Sequence, residues 1–223
     1  MTGVAARLAE VRERIAAAAR AAGRDPADVT LVAVSKEVGA DAVVEALAAG
    51  QRDFGENRAQ ELVAKVAAIP SPRGEEAPVW HFIGRLQRNK VHAIAGAVSL
   101  WHSIDRADLG ETVARHAPGA RVLVQVNVAD EPQKGGCPPA EAGALADTLR
   151  ALGLSVEGLM TVPPLAGDPR PWFAALRDLA DRLGLATLSM GMSGDFEDAI
   201  AEGATIVRVG TSVFGPRAAA VAG

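Results

Sequence analysis

Apolar residues recur along the chain with two different periods. In the first segment Val4, Leu8 and Val11 repeat at helical spacing, which is typical of an amphipathic helix. This helix is predicted over about residues 3–22, and Gly23 is placed to end it. Beyond it, short runs rich in Val, Ile and Leu alternate with longer Ala-rich segments of helical period. That alternation is typical of β/α units around a parallel sheet.

Eight β/α units are indicated by this alternation. The strands are predicted near Leu31–Ser35, Arg52–Phe54, Trp80–Ile83, Ser99–His102, Arg121–Val126, Ser155–Leu159, Thr187–Ser189 and Thr205–Val209. The helices are predicted over 40–49, 57–68, 87–95, 106–115, 139–152, 171–183, 195–201 and a short segment near the C-terminus. Eight units close a barrel, whereas an open flavodoxin-like sheet, the alternative, usually has about five or six strands. The predicted fold class is therefore α/β, a (β/α)8 TIM-type barrel with an extra N-terminal helix.

Length and composition favour one domain. The chain has 223 residues, of which 49% are apolar and 22% charged, and no change of composition marks a second domain. We therefore expect a single domain over residues 1–223, with the barrel over about 29–217. The segments Pro70–Pro78 and Gln133–Pro139 are predicted loops.

Charge, cysteine content and the N-terminal segment argue against several classes of protein. The formal net charge of −4 disfavours a general nucleic-acid binder, and the single cysteine, Cys137, excludes an intramolecular disulfide. No segment is long and apolar enough to cross a bilayer. Glu10 and Arg12 interrupt the stretch that would be apolar in a signal peptide. These features predict a cytoplasmic protein.

Mostly polar residues follow the predicted strands at their carboxyl ends, where a barrel of this kind carries its functional groups. They are Lys36, Asn57, His81, His102, Ser103, Asn127, Met160, Ser193 and Arg208. Lys36 offers the most specific chemistry. A lysine desolvated at the mouth of an apolar barrel has a lowered pKa, and its neutral amine can form a Schiff base with an aldehyde. The alternative is an ordinary solvated lysine.

Arg208 lies inside the last predicted strand. Strand alternation puts Val207 and Val209 on one face and Arg208 on the other. If the valines pack under the helices, Arg208 points into the barrel, where an unpaired guanidinium is costly. Two partners remain open: an acidic residue on a neighbouring strand, or an anion or ring nitrogen of a ligand.

Two small turns follow the last two strands and offer donors to a phosphate. Ser193-Gly194 precedes a predicted helix with free first N–H groups, and Gly210-Thr211 forms a second turn with a hydroxyl. Phosphate sites in TIM barrels often use the loops after strands seven and eight. The alternative for Ser193 is a plain helix cap, and Asp195 would repel a phosphate if it pointed inward.

The other motifs in the sequence carry less information about function. The histidines show no spacing typical of a zinc site, so no metal is predicted, and neither a Walker A loop nor a GxGxxG fingerprint occurs. Arg85, Arg88 and Lys90 form a small basic patch. It is either a solvated helix start or a surface that contacts anions.

Six strings of residues, in order and in spacing, resemble the pyridoxal phosphate homeostasis protein family. They are AVSK at 33–36, FGEN at 54–57, HFIGRLQRNK at 81–90, GLM at 158–160, LSMGMS at 188–193 and VRVG at 207–210. The resemblance extends from about residue 30 to Gly215. The ordered set, rather than any single string, makes it specific.

The resemblance implies a barrel like the N-terminal domain of alanine racemase and a role in vitamin B6 homeostasis. It implies pyridoxal 5'-phosphate (PLP) as the cofactor, held as a Schiff base on Lys36. It puts Arg208 against the pyridine nitrogen and Asn57 near the ring. It assigns the phosphate to four residues of the two small turns, Ser193, Gly194, Gly210 and Thr211.

The chain departs from the family pattern at the rim of the predicted site. Arg58, Arg85 and Glu37 stand where the family often has Tyr, His and Thr. In the loop after the fifth strand, Glu131 and Lys134 match a Glu and a Lys of the family, which implies a role in cofactor exchange.

Composition favours a PLP carrier over a racemase. Alanine racemases use a tyrosine from a second domain as one of two bases, and this sequence contains no tyrosine. An arginine at the pyridine nitrogen weakens the ring as an electron sink, but alanine racemases share that feature, so it does not decide alone. Three hypotheses remain: a monomeric carrier that supplies PLP-dependent apoenzymes, a PLP-dependent racemase-like enzyme, and a phosphate-binding barrel without PLP.

Overall fold

The computed structural model describes residues 3–69 and 77–216. Within them eight parallel strands follow one another around a closed barrel, and the last strand pairs with the first. The strands are β1 (Thr30–Val34), β2 (Asp53–Glu56), β3 (Val79–Phe82), β4 (Val98–Ile104), β5 (Arg121–Gln125), β6 (Ser155–Met160), β7 (Thr187–Ser189) and β8 (Ile206–Val209). The predicted fold class is confirmed.

Helices follow the strands in alternation, after one helix that precedes the barrel. They are α1 (Val4–Ala21), α2 (Ala40–Ala48), α3 (Ala59–Ala68), α4 (Val91–Ile94), α5 (Ala107–His116), α6 (Ala142–Ala151), α7 (Arg170–Leu183), α8 (Phe196–Ala201) and α9 (Thr211–Phe214). The helix predicted over 87–95 is instead a 3-10 turn at Arg88–Lys90 followed by the single turn of α4. Residues 70–76 of the predicted loop Pro70–Pro78 lie outside the described residues.

Strand alternation sorts the apolar side chains into two layers. The larger layer lies between strands and helices and includes Val207 and Val209. A small inner cluster fills part of the barrel and consists of Val32, Leu100, Leu123, Met160 and Ile206. The inward direction predicted for the Arg208 side chain is confirmed, because Arg208 hydrogen-bonds across the barrel interior.

Helix α1 joins the beginning of the chain to its last units. Val4, Leu8, Val11 and Ile15 are buried on one face of the helix, which contacts α2, α8 and α9. The Arg7 guanidinium donates hydrogen bonds to the carbonyls of Val213 and Phe214 in α9. The predicted helix over residues 3–22 is therefore present and docked. Within the described ranges, no helix has the length and apolar character that a membrane span requires.

Candidate functional site

A cavity of about 410 Å³ opens at the carboxyl ends of β1, β2 and the last two strands. Its volume suits a small organic ligand. Val34, Ile83 and Val162 supply apolar walls. All seven residues that the sequence proposes for binding line this cavity: Lys36, Asn57, Ser193, Gly194, Arg208, Gly210 and Thr211.

Lys36 lies in the turn that directly follows β1. The next residue, Glu37, has φ of 61°, a conformation that is unusual for a residue with a side chain. The Glu37 N–H donates to Glu61 Oε2 at 2.8 Å, which fixes the turn to α3. Lys36 is half-buried, and its amine forms no hydrogen bond or ion pair with the described residues. The cavity therefore presents an unengaged primary amine.

A buried ion pair supports this turn from below. Lys65 of α3 donates to Glu56 Oε1 and to the carbonyl oxygen of Ser35, and the Ser35 hydroxyl donates to the same carboxylate oxygen at 2.6 Å. Glu56 is fully buried, and burial raises its pKa although Lys65 and Ser35 act against that shift. Sequence reasoning missed this pair. The available signal was Lys65 itself, a charged residue at an apolar position of the helix, three residues after buried Leu62.

Arg208 is buried without a carboxylate partner in the described part of the chain. Its Nη1 donates to Ser189 Oγ at 2.7 Å and its Nη2 to the carbonyl oxygen of Thr161 at 2.8 Å. Burial lowers its pKa to about 10, and Asp195 acts in the opposite direction. The sequence left two kinds of partner open for Arg208. The prediction of an acidic residue on a neighbouring strand is wrong. The remaining N–H groups of Arg208 stay available at the cavity.

The two small turns meet at the cavity wall. The Gly210 N–H donates to Ser193 Oγ at 3.2 Å, so the plain helix cap considered for Ser193 is wrong. Helix α8 instead has Asp195 at its N-cap, and Asp195 Oδ1 accepts from the Met192 N–H at 2.5 Å. Among the described residues, the N–H groups of Gly194 and Thr211 have no protein acceptor. These two N–H groups suit an anion.

Asn57 forms the boundary between this cavity and a second one. Its Oδ1 is buried and lacks a hydrogen-bond partner within the described residues. Gly84 approaches its backbone so closely that a Cβ at position 84 would come within 2.1 Å of the Asn57 carbonyl oxygen. The glycine therefore allows the β3 loop to pack against the turn that carries Asn57.

The second cavity, of about 680 Å³, is lined by basic side chains next to Asn57. They are Arg58, Arg85, Lys90 and Arg106, with Asp105 as the acidic residue among the lining residues. The Asp105 carboxylate is paired with Arg106 at 2.6 Å. We call this the basic cavity. The predicted patch also included Arg88. Arg88 does not line the basic cavity and instead pairs with Asp108 of α5 at 3.3 Å.

The other strand-end residues lie elsewhere. His81 and His102 are buried inside the barrel and hydrogen-bond to each other, and Met160 belongs to the inner apolar cluster. Ser103 donates to the Gly84 carbonyl oxygen at 2.6 Å. Asn127 exchanges two hydrogen bonds with the backbone of Glu131.

The loop after β5 contacts one wall of the cavity from outside without lining the cavity itself. Lys134 pairs with Glu131 and donates to the carbonyl oxygens of Val162 and Pro163, at 3.3 and 2.7 Å. Val162 lines the cavity, so the loop supports one wall of it. In residues 3–69 and 77–216, no group of three or more His, Cys, Asp or Glu side chains is arranged to hold a metal ion.

The fold and the cavity together define a class of protein: closed β/α barrels that present a lysine, a buried arginine and two turns with unpaired N–H groups at one mouth. The sequence matches the family described as "Alanine racemase, N-terminal domain" over residues 6–218. It is 46% identical to the pyridoxal phosphate homeostasis protein of Pseudomonas aeruginosa, over 97% of each chain. It is 40% identical to the protein of the same name from Escherichia coli K12, over 97% of this chain and 98% of that one.

Solved structures agree with these matches. PipY of Synechococcus elongatus with PLP bound superposes with a TM-score of 0.79 at 36% identity, over 95% of this chain and 100% of that chain. PipY without PLP gives a TM-score of 0.84 at 37% identity. Alanine racemase from Corynebacterium glutamicum shares the fold at 17% identity and a TM-score of 0.67, and this chain covers 62% of it. The chain belongs to the pyridoxal phosphate homeostasis protein family, within the alanine racemase N-terminal domain fold.

Proposed function

We propose that this protein binds PLP as a Schiff base on Lys36 and serves intracellular PLP homeostasis as a carrier, without robust catalytic turnover. The observation that carries the proposal is the convergence of a free amine, a buried arginine and two unpaired N–H groups in one cavity. The condensation joins the Lys36 amine to the aldehyde carbon and releases one water. PLP, when bound, supplies that aldehyde and a phosphate dianion.

The residues of the cavity match the chemical groups of PLP. The Gly194 and Thr211 N–H groups suit its phosphate, and a buried guanidinium without a carboxylate suits its ring nitrogen. Asn57 Oδ1 is a buried acceptor that lacks a protein donor within the described residues. We assign Ser193 and Gly210 to the phosphate turns, because their mutual hydrogen bond holds the two turns together.

A carrier role fits better than a racemase role. An arginine that donates to the ring nitrogen would keep it unprotonated and weaken carbanion stabilisation, but alanine racemases share that feature, so it does not decide alone. A racemase also needs acid–base groups on both faces of the bound substrate, and the tyrosine that alanine racemases use is absent from this sequence. The racemase-like alternative predicts steady turnover of an amino acid by the holoprotein, and a racemisation assay separates the two.

The test is borohydride reduction of the protein after it is mixed with PLP, followed by peptide mapping. The sequence contains four lysines, Lys36, Lys65, Lys90 and Lys134, so the result is easily assigned. We expect a visible absorption band before reduction and a reduced adduct on Lys36. A folded protein without the band, or an adduct on another lysine, would overturn the proposal.

A matched pair of variants sharpens this test. Lys36→Ala removes the amine in the cavity, and we expect it to abolish the visible band and the reduced adduct. Lys90→Ala is the control, because Lys90 lines the basic cavity and not the cavity of Lys36. It should keep both signals.

We further propose that residues 1–223 act as one domain, that the protein is a cytoplasmic monomer, and that PLP-dependent apoenzymes receive its cofactor. The basic cavity beside the mouth supports a recipient with an acidic surface, by charge complementarity. Sedimentation of the holoprotein should report a monomer. Activation of an apoenzyme should be faster with holoprotein than with an equal concentration of free PLP, and Arg85→Glu should remove that advantage.

A further inference from the structure

A line of buried polar side chains crosses the barrel from its lower end to the cavity. Asp53 Oδ1 lies 3.0 Å from His81 Nε2, and His81 Nδ1 lies 2.8 Å from His102 Nε2. His102 Nδ1 lies 2.8 Å from Ser189 Oγ, which accepts from Arg208 at 2.7 Å. We call these five residues the polar chain. It reaches Arg208, whose other side faces the cavity.

The lower end of the polar chain is its most exposed part. Asp53 is the first residue of β2, and its side chain is 31% exposed. It lines a separate cavity of about 370 Å³ together with Thr30 at the start of β1. The other four residues are buried, with His102 and Ser189 fully so. The polar chain therefore connects the two ends of the barrel through an interior that excludes bulk water.

The two ends of the polar chain fix the direction of its hydrogen bonds. A guanidinium only donates, so Ser189 Oγ accepts from Arg208, and an ionised carboxylate only accepts, so His81 Nε2 donates to Asp53. If both imidazoles are neutral, His102 Nε2 then donates to His81 Nδ1, and the Ser189 hydroxyl donates to His102 Nδ1. Every donor has one acceptor, and every bond points from Arg208 towards Asp53.

A protonated His81 would reverse the middle of the polar chain at a cost. His102 Nδ1 would then donate to Ser189 Oγ, and the Ser189 hydroxyl would need another acceptor. Among the described residues that hydroxyl oxygen contacts only His102 and Arg208, so its proton would be buried without a partner. Burial also holds the pKa of His102 well below its ordinary value, and the charges of His81, Arg208 and Arg121 act in the same direction.

Three further charged groups act on the polar chain from neighbouring elements. Arg121 at the start of β5 is paired with Glu157 of β6 at the lower rim and interacts with Asp53. At the upper end, Asp195 interacts with Arg208. Arg121 therefore shares its charge between Glu157 and Asp53 at the lower rim, and the interior segment of His81, His102 and Ser189 carries hydrogen bonds without a net charge of its own.

We propose that Asp53, His81, His102 and Ser189 are positioning residues that hold Arg208 in one orientation for the ring nitrogen of the ligand, in a one-way hydrogen-bond chain anchored at the opposite end of the barrel. This inference rests on the proposed function, because the ring nitrogen belongs to PLP. Its physical content is preorganisation. Arg208 is ordered before the ligand arrives, so binding does not have to immobilise a long, flexible side chain.

The first test needs no cofactor. Nitrogen-15 NMR of the imidazoles in the PLP-free protein at neutral pH should find both His81 and His102 neutral, with the proton on Nε2 in each ring. The exposed pair His92 and His116 provides the reference signals for rings in fast exchange. A proton on Nδ1 of either buried ring, or a cationic ring, would overturn the assigned direction and with it the inference.

The second test measures what the polar chain does for the ligand. His102→Phe keeps a ring but breaks both inner hydrogen bonds, and we expect about three- to tenfold weaker PLP binding, the cost of ordering one flexible side chain. The pH at which the visible band changes as the ring nitrogen takes up a proton should rise, because a loosely held Arg208 no longer keeps that nitrogen unprotonated. His102→Gln, whose amide offers an NH2 donor group and a carbonyl acceptor, should restore part of both properties. His92→Phe is the control for an exposed histidine.

The outcomes separate this inference from the proposed function. If the wild-type protein shows no PLP band, the proposed function fails. If the wild-type protein binds PLP on Lys36 and His102→Phe leaves both the affinity and the pH profile of the band unchanged, the inference fails while the proposed function stands. Asp53→Leu, which lies at the far end from the cavity, should shift the pH profile in the same direction as His102→Phe.

Discussion

Neutral oxygens hold the guanidinium of Arg208, with one hydroxyl and one backbone carbonyl as acceptors. A carboxylate partner would have cancelled its charge and occupied its remaining donors. The observed arrangement instead fixes the orientation of Arg208 and leaves its guanidinium without a paired carboxylate next to the cavity. This choice of partners makes Arg208 suited to an electron-rich ligand atom, and it could not be read from the sequence of β8 alone.

His102 makes the stability of the folded protein depend on pH. Burial keeps its pKa well below 6.5 in the folded state, whereas an unfolded histidine titrates near about 6.5. Below that pH the unfolded chain binds one proton on His102 that the folded chain does not bind. The free energy of unfolding therefore falls as pH falls. The slope should approach about 1.4 kcal/mol per pH unit.

Denaturant unfolding between pH 4.5 and 7.5 measures this effect. His102→Gln removes the titrating group, so the slope below pH 6.5 should become shallower by about one proton. His92→Gln changes an exposed histidine and should leave the slope as in the wild type. An unchanged slope in His102→Gln would contradict the buried neutral state of His102.

Cys137 should be inert in the folded protein. Its thiol is buried, and burial raises its pKa to about 12, so almost no thiolate forms at pH 8. We expect iodoacetamide to leave Cys137 unmodified under native conditions and to alkylate it rapidly in denaturant, as measured by intact-mass spectrometry. Rapid labelling of the native protein would contradict the buried environment of this thiol.

At the scale of elements, the contact between α3 and the first two strands supports the turn of Lys36. Lys65→Ala would leave Glu56 buried without its cation, and we expect a loss of about 3–5 kcal/mol in the free energy of unfolding. The double variant Lys65→Met with Glu56→Leu removes both charges and should recover most of that stability. Denaturant unfolding measures both. Equal losses in the two proteins would show that the cost is one of packing and not of charge.

Periodicity predicted the elements well because each β/α unit has the same division of apolar positions. The observed strands lie within a few residues of the predicted ones, and even the short strand β7 has the predicted bounds Thr187–Ser189. The helix predicted over 87–95 was the main error in the helices. Two residues of that segment, Val91 and Ile94, are buried, and this pattern suits one turn as well as a longer helix.

Six of the seven cavity residues were accessible from sequence because they lie in turns after strands, and strand ends meet at one mouth. The seventh, Arg208, was accessible because strand alternation turns its side chain into the barrel. The polar chain could not be predicted from the sequence, because it depends on which residues of neighbouring strands lie side by side. His81 and His102 are 21 positions apart, and the register between β3 and β4 shifts between Trp80 and His81. A shift of one residue decides which side chains share the barrel interior, and no local pattern reports it.

At the scale of the whole molecule, α1 ties the first segment of the chain to the last units of the barrel. Leu8 is fully buried in this helix, so Leu8→Ala should lower the free energy of unfolding by about 2–5 kcal/mol. Unfolding should remain a single transition, because α1 contacts helices from both ends of the chain. The control is Leu165→Ala, since Leu165 is 91% exposed. A separate early transition in Leu8→Ala would show that α1 undocks independently.

The inner apolar cluster is small compared with the layer between strands and helices. Most of the burial that keeps this chain folded therefore lies outside the barrel, away from the residues that meet a ligand. Substitutions of the residues that line the mouth should therefore cost less stability than substitutions in the layer between strands and helices. A scaffold of this kind can keep its fold while the residues at its mouth change, since the fold and the site depend on different side chains.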